Sequence, residues 1–240
     1  MPTSRKRNRI EDQMKQMRLT ANLIQLTKQG WMNAYLVCED DGLTLVDTTM
    51  GAADDLISAA RQLDAPIRRI ALTHGHGDHV GSLDALRARL GAEVTVLMPE
   101  LDAKILAGEA VEFSDKKRGS WKKVTTTPDV LLDHGDRVGS LEVVACPGHT
   151  PGHVAFLDTR DGSLIAGDAF FSLGGLQVPN RPTFPFPFVW MGTCDRGLAL
   201  ESAAKLRALN PELLVLGHGG AVTSAQAEMD AAIARAQRAA

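Results

Sequence analysis

A chain of 240 residues with 44% apolar and 23% charged side chains has the make-up of a soluble globular protein and can bury a full core, as one domain or two tight halves. Its net charge of −3 argues against a general nucleic-acid surface. No apolar run approaches the ~18 residues of a membrane span, and the first thirty residues hold no continuous apolar core of a signal peptide.

Three scattered cysteines, Cys38, Cys146 and Cys194, fit a reducing cytoplasm better than a disulfide framework. The expected partner is therefore a small-molecule substrate, with neither nucleic acid nor membrane involved.

In chain order, residues 1–22 read as a basic N-terminal segment, and 23–240 as a single domain. The run Arg5-Lys6-Arg7-Asn8-Arg9 is a solvated tail, and Ile10, Met14 and Met17 have the spacing of a loose helix. Strands are expected over 22–27, 34–38 and 43–46, with a hairpin turn at Asp40-Asp41-Gly42. A helix over 53–63 follows, then a short buried strand over 67–72 after Pro66. Val80, Leu83, Leu86 and Leu90 then recur at helical spacing up to Gly91.

A strand over 93–98 precedes the weakly patterned stretch 99–127. There Leu101, Ile105 and Leu106 point to a helix and Lys116-Lys117-Arg118-Gly119 to an exposed turn, the whole lying over one rim of the site. Strands return over 130–132, 141–145, 154–158 and 163–166, with a second hairpin turn at Asp161-Gly162. A Gly/Pro-rich loop over 173–192, a helix over 195–208, a strand over 213–216 and a helix over 224–239 complete the chain. The two Asp-Gly hairpins, each ending in an aspartate (Asp47, Asp168), form an internal echo that suits two similar halves packed sheet to sheet.

The chemistry concentrates in Thr73-His74-Gly75-His76-Gly77-Asp78-His79, at the carboxyl end of a strand, where open α/β folds place their sites. In extended chain His74, His76 and Asp78 share one face and His79 points away. Gly75 and Gly77 let the backbone turn between them, so that His74 and His76 can serve one ion while Asp78 and His79 serve a neighbour. Imidazole and carboxylate suit zinc, iron or manganese; magnesium or calcium would want oxygen throughout. A plain helix-capping loop is the duller alternative, against which four ligand-type side chains in six positions weigh heavily. His149, Asp168 and His218 repeat the pattern, each beside a glycine at the end of an apolar strand.

Taken together, Thr73-His74-x-His76-x-Asp78-His79, Gly148-His149-Thr150, Gly167-Asp168 and Gly217-His218 resemble the motif series of the metallo-β-lactamase-fold hydrolases, over nearly the whole chain. The resemblance implies a four-layer αβ/βα sandwich with a dinuclear site at one sheet edge. In that pattern His74, His76 and His149 hold one metal, Asp78, His79 and His218 hold the other, and Asp168 bridges them. Two divalent ions are implied, zinc first, with iron or manganese as further candidates.

Departures from individual groups of that superfamily narrow the reading. An aspartate at 168 is unusual for its true β-lactamases, and no glutamate replaces His76 as in the diiron flavoproteins. Lactonases of similar pattern carry a tyrosine between the last Asp and His, whereas the only tyrosine here is Tyr35. No basic glutathione-binding extension like that of glyoxalase II is found, nor the cap domain of the nucleic-acid processing members. What remains is a general hydrolase of the glyoxalase II-like group, cleaving an ester, thioester or lactone with a metal-bridging hydroxide.

Asp78 is the candidate catalytic residue, as proton shuttle, with a pure ligand role equally open. The other classes considered are an iron oxygenase resembling the persulfide dioxygenases, using His74, His149 and Asp168, an amide hydrolase of β-lactamase type, and a regulatory member with a degenerate site.

Around the ligands, Asp47 is expected to orient an imidazole or the loop backbone and Thr150 to cap the turn after His149. His153 reads as structural, Cys146 as a small buried side chain and His134 as exposed and inert. Phe170, Phe171, Phe184, Phe186, Phe188 and Trp190, interleaved with prolines, are expected to wall an apolar cleft, or else to form a loop core or a homodimer contact.

Overall fold

Period-two alternation along the strands sorts the apolar residues into three layers of core. The computed structural model describes residues 14–113, 119–184 and 186–238. Its first sheet holds β1 (Lys15–Arg18), β2 (Leu23–Lys28), β3 (Met32–Glu39), β4 (Gly42–Val46), β5 (Ile67–Ala71), β6 (Thr95–Pro99) and β7 (Val130–Leu132), ordered as in the chain. β1 to β4 are antiparallel, and β4 to β7 are parallel. The second sheet runs β12-β11-β10-β9-β8. Its strands are β8 (Arg137–Val138), β9 (Leu141–Ala145), β10 (Val154–Asp158), β11 (Leu164–Ile165) and β12 (Leu214–Val215), antiparallel except for the β11–β12 pair.

The crossovers between parallel strands carry helices, as such connections require. These are α1 (Ala53–Gln62), α2 (Gly77–Val80), α3 (Leu83–Leu90) and α4 (Glu100–Leu106) on the first sheet. The second has α5 (Phe188–Gly192) and α6 (Arg196–Arg207) in its β11–β12 crossover and α7 (Ala225–Gln237) after β12, with the Asp195 carboxylate capping α6 at Leu198 N, 2.9 Å away.

On β3, Ala34 and Leu36 face the core shared with Leu56 and Ala59 of α1 and Leu86 of α3, whereas Tyr35 and Val37 face the second sheet. On β10 and β11, Phe156 and Ile165 face inward, and Ala155 and Leu164 pack with Ala203 of α6 and Met229 of α7. The result is the expected αβ/βα sandwich. Tyr35 ties the two sheets: its hydroxyl donates to Leu216 O at 2.6 Å and accepts from Leu216 N at 3.0 Å. Complete burial pushes that phenol well above its usual range, so it stays protonated.

Three expectations need correction. Lys15–Arg18 is a strand paired with β2 rather than part of a helix, with Met14 buried and Met17 exposed. The unpaired edge of β2 offers backbone hydrogen bonds that two methionines at helical spacing cannot match. The helix after the histidine cluster breaks at Gly81-Ser82, because Ser82 Oγ turns inward to accept from Ala52 N at 2.8 Å. The 173–192 loop ends in α5, and the two-residue strand β8 had no sequence signal. Residues 1–13, with the basic run, and 116–118 of the expected turn lie outside the described residues.

Candidate metal centre

Four strand ends of the sandwich deliver the ligand-type residues. His74, His76, Asp78 and His79 follow β5, His149 follows β9, Asp168 follows β11 and His218 follows β12. They converge into three donor sets, each with its ligand atoms within 4.8 Å of one another: His74, His76 and His149; His74, His79 and Asp168; Asp78, His79 and His218. Asp168 lies at the middle. Its Oδ1 is 3.4 Å from His79 Nε2, and its Oδ2 is 3.3 Å from His149 Nε2 and 3.2 Å from His218 Nε2. Asp78 Oδ2 lies 3.2 Å from His218 Nε2.

The far-side nitrogens of His74, His79, His149 and His218 are engaged, which orients the rings. Thr73 Oγ1 lies 3.0 Å from His74 Nδ1 and donates its own proton to Asp47 Oδ2 at 2.8 Å, so it accepts from the imidazole. Thr193 does the same for His149, 3.0 Å from Nδ1 while donating to Val189 O at 2.8 Å. His79 Nδ1 faces Asp47 Oδ2 at 2.7 Å, and His218 Nδ1 donates to Trp31 O at 3.1 Å. All four rings thereby turn Nε2 to the centre. His76 presents Nδ1 instead, 2.9 Å from His149 Nε2.

The donor set fits a cation. His74 Nε2 is buried without a hydrogen-bond partner, and His79 Nε2 and Asp168 Oδ1 face one another without making one. Buried polar atoms are rarely left so in native proteins. Burial, with the neighbouring imidazoles, holds His74 well below the usual histidine range. Burial likewise lowers His149 against the pull of Asp168, so both rings are neutral and keep a lone pair. For His79, burial is outweighed by Asp168, Asp47 and Asp78, which raise it.

The supporting residues differ from expectation in part. Asp47 reaches both proposed targets, accepting from Thr73 N at 2.8 Å and pairing with His79. Thr150 does not cap its own turn; its hydroxyl donates to Asp102 Oδ2 at 2.7 Å, across the sandwich. His153 Nε2 accepts from Asp168 N at 3.0 Å and its Nδ1 lies 3.1 Å from Cys146 Sγ, so it positions the central aspartate; burial lowers its pKa to about 3. Asn33 had no sequence signal. Its side-chain amide donates to Leu216 O and Gly219 O at 2.9 and 2.7 Å, pinning the segment that carries His218. His134 is exposed, as read.

Above the centre opens a cleft of about 450 Å³, lined with apolar surface by Trp31, Met50, Phe188, Val189 and Met191, and also by Gly119 and Ser120. Of the predicted aromatics only Phe188 lines it. Phe170 and Phe171 are fully buried, Phe170 within the α6/α7 core, because they directly follow the inward turn at Asp168. Phe184 is 86% exposed and away from the lining. Phe186 stands behind the wall, 5.3 Å from Trp31 and 5.5 Å from His218 between ring centroids. Trp190 turns aside under the Arg196 guanidinium, 4.4 Å from its ring.

A family model described as the metallo-beta-lactamase superfamily matches residues 32–218, a span that contains all seven candidate ligands. The chain belongs to the metallo-β-lactamase superfamily. The activity that goes with membership and with this buried His/Asp cluster is metal-dependent hydrolysis.

Among its relatives, the uncharacterized protein YobT of Bacillus subtilis is 40% identical over 213 residues, 86% of this chain and 91% of its own. The hydroxyacylglutathione hydrolase GloC of Haemophilus influenzae is 28% identical, over 81% of this chain and 88% of its own. Of solved structures, the DIM-1 metallo-β-lactamase superposes with a TM-score of 0.71 at 15% identity, covering 95% of this chain and 99% of its own, a likeness of fold alone. TTHA1623, solved in a di-iron-bound form, gives 0.59 at 26% identity over 81% of this chain and 91% of its own. No helix among the described residues is long and apolar enough to cross a membrane.

Proposed function

We propose that this superfamily member uses two divalent cations to cleave an ester, thioester or lactone bond in a small, uncharged substrate. The observation that carries the reading is Asp168, whose two carboxylate oxygens lie 3.2–3.4 Å from three imidazole nitrogens drawn from all three donor sets. A carboxylate so placed suits a bridge, with His74, His76 and His149 holding one ion and Asp78, His79 and His218 the other. The donor set suits zinc best. Ions held there supply a hydroxide nucleophile at neutral pH and a positive charge for the developing oxyanion.

The chain's own residues then divide the remaining work. Thr73, Asp47, Thr193 and Trp31 take the far-side nitrogens of His74, His79, His149 and His218, so each ring turns Nε2 to the place a cation would occupy. Asp78 is the one carboxylate of the cluster that also reaches solvent, at 23% side-chain exposure, and its place in the cleft wall suits it to carry a proton toward the leaving group. Trp31, Met50, Phe188 and Met191 give the substrate an apolar surface, and among the described residues lining the cleft there is no lysine or arginine. A thioester is the first bond to try, given the relative named as a hydroxyacylglutathione hydrolase. Cytoplasmic residence is supported by three scattered cysteines that form no disulfide with one another.

A turnover screen tests the reading, using p-nitrophenyl esters, lactones, thioesters and a chromogenic cephalosporin on zinc-loaded and iron-loaded protein, with Asp168→Ala as control. Turnover of one of the first three classes, abolished in the control, is the expected result. Turnover of the cephalosporin alone makes the protein an amide hydrolase, and no turnover by loaded protein removes the proposal.

A further inference from the structure

Asp102 lies on α4, in the stretch whose sequence carried the least pattern, and none of its surface is exposed. Its carboxylate meets three donors. Oδ2 accepts from Gly75 N at 2.7 Å and from Thr150 Oγ1 at 2.7 Å, while Oδ1 accepts from Gly152 N at 2.7 Å. Gly75 separates His74 from His76, after β5 of the first sheet. Thr150 and Gly152 follow His149, between β9 and β10 of the second. One buried carboxylate thus joins two ligand-bearing loops from opposite halves of the sandwich.

We propose that Asp102 is a positioning residue of the metal centre, setting the separation between the loop that carries His74 and His76 and the loop that carries His149. This rests on the metal-centre reading above. The gap it governs is the 2.9 Å between His76 Nδ1 and His149 Nε2, the contact across which those loops form one donor set. The two backbone donors are glycines, and neither position has room for a side chain. A Cβ at Gly75 would strike the Trp121 ring, and one at Gly152 would come within 2.8 Å of Asp102 N and Oδ1. The Gly152 loop therefore presses directly onto α4 at Asp102, and the Gly75 loop is held between the Trp121 ring and the same carboxylate.

A carboxylate is the group this pocket requires. With two donors on Oδ2 and one on Oδ1, both oxygens act as acceptors. Burial pushes its pKa up to about 6, against the three hydrogen bonds, so it remains mostly anionic at neutral pH. Asparagine has nearly the same shape but must aim its NH₂ at Gly152 N–H or at Gly75 N–H, setting donor against donor either way.

The test measures zinc affinity by competition with a chromophoric chelator, and the absorption spectrum of cobalt-loaded protein, in wild type, Asp102→Asn, Thr150→Val and Asp129→Asn. Circular dichroism of the metal-free proteins reports folding. Asp129 also accepts a backbone N–H, from Val96 at 2.8 Å, but touches none of the ligand loops, so it controls for general loss of stability.

Asp102→Asn is expected to weaken zinc binding by about 10- to 100-fold, the range for outer partners of metal ligands, and to shift the cobalt spectrum. Thr150→Val is expected to weaken binding less, and Asp129→Asn not at all. A folded Asp102→Asn protein with wild-type zinc affinity and cobalt spectrum overturns the proposal. If that variant does not fold, wild-type affinity and spectrum in Thr150→Val overturn it. Wild-type protein that takes up no zinc overturns the metal-centre reading itself, and the role of Asp102 with it.

Discussion

In each half of the sandwich a strand runs antiparallel to its predecessor and parallel to its successor: β4 between β3 and β5, and β11 between β10 and β12. Backbone bonds put the two halves in register. Asp47 N donates to Ala71 O at 3.0 Å, and Ala166 N donates to Val215 O at 2.8 Å, which makes Asp47 and Ala166 equivalent, and likewise His74 and His218. One step further the halves part. The Thr73 N–H is taken by the Asp47 carboxylate at 2.8 Å, whereas the equivalent Gly217 N–H is taken by a backbone carbonyl, Gly167 O, at 2.8 Å. Gly167 has φ +50°, a conformation that suits glycine, and its turn carries the next residue, Asp168, into the centre. The first half therefore uses its aspartate to hold the loop, while the second hands that task to the backbone and frees a carboxylate for the cation.

Removing the two aspartates separately tests that division, and the largest loss is expected at Asp168. Asp168→Ala deletes the carboxylate that faces an imidazole of every donor set and is expected to lower metal content and kcat/KM by more than about 100-fold, beyond the range for outer partners. Metal analysis and the ester or thioester assay read both losses. Asp47→Asn keeps every donor to the cation and disturbs only His79 and Thr73. A loss of about 10- to 100-fold in metal affinity is expected, with stoichiometry kept at saturating zinc. Equal losses at 47 and 168, with stoichiometry also gone in Asp47→Asn, would erase the contrast between the halves.

The equivalent histidines sharpen the contrast further. His74 faces other imidazoles, and burial with their charge holds it neutral. For His218 burial also works downward, but Asp168 and Asp78 outweigh it and raise its pKa to about 9. Metal-free protein at pH 7.5 thus carries a proton on His218, and one on His79, which its carboxylate neighbours also raise; cations must displace both, whereas His74 carries none. Apparent zinc affinity is expected to rise by about tenfold per pH unit for each displaced proton, the His218 contribution levelling off above about pH 9. Zinc titrations at pH 6.5, 7.5 and 8.5, with proton release followed by indicator, check the sign. Affinity that falls with pH over this range would contradict the assignment.

The residues of the cluster were legible in the sequence because all but His79 sit beside glycine near the end of an apolar run, and four of them fall in the six positions from His74 to His79. The αβ/βα layering was legible for a related reason, since alternation and Asp-Gly turns are local signals. Asp102 was not, because its partners Gly75 and Gly152 come near it only when the two halves close. Trp31 and Met50 were missed as cleft residues because each stands alone at a turn. The aromatic cluster misled in the opposite sense: closeness in sequence says nothing of facing, and Phe170 points into the core while Phe188 points out.

The halves also differ in what they bring to the substrate, and here the expected effect is smallest. The β11–β12 connection contains α5, which places Phe188, Val189 and Met191 along the cleft, whereas the β4–β5 connection contributes Met50. Phe188 is 62% exposed and Met50 42%, so each has apolar area for a substrate to cover. A ring half covered by substrate contributes on the order of 1 kcal/mol, roughly fivefold in affinity. Phe188→Ala is therefore expected to raise KM about fivefold with kcat unchanged, since the ring touches the substrate away from the reacting atoms. Met50→Ala, removing a narrower and more flexible side chain, is expected to raise KM about twofold or less. Steady-state kinetics on the best substrate of the screen decides the order. If Met50→Ala has the larger effect, the substrate leans on the first half, and α5 is not the recognition wall.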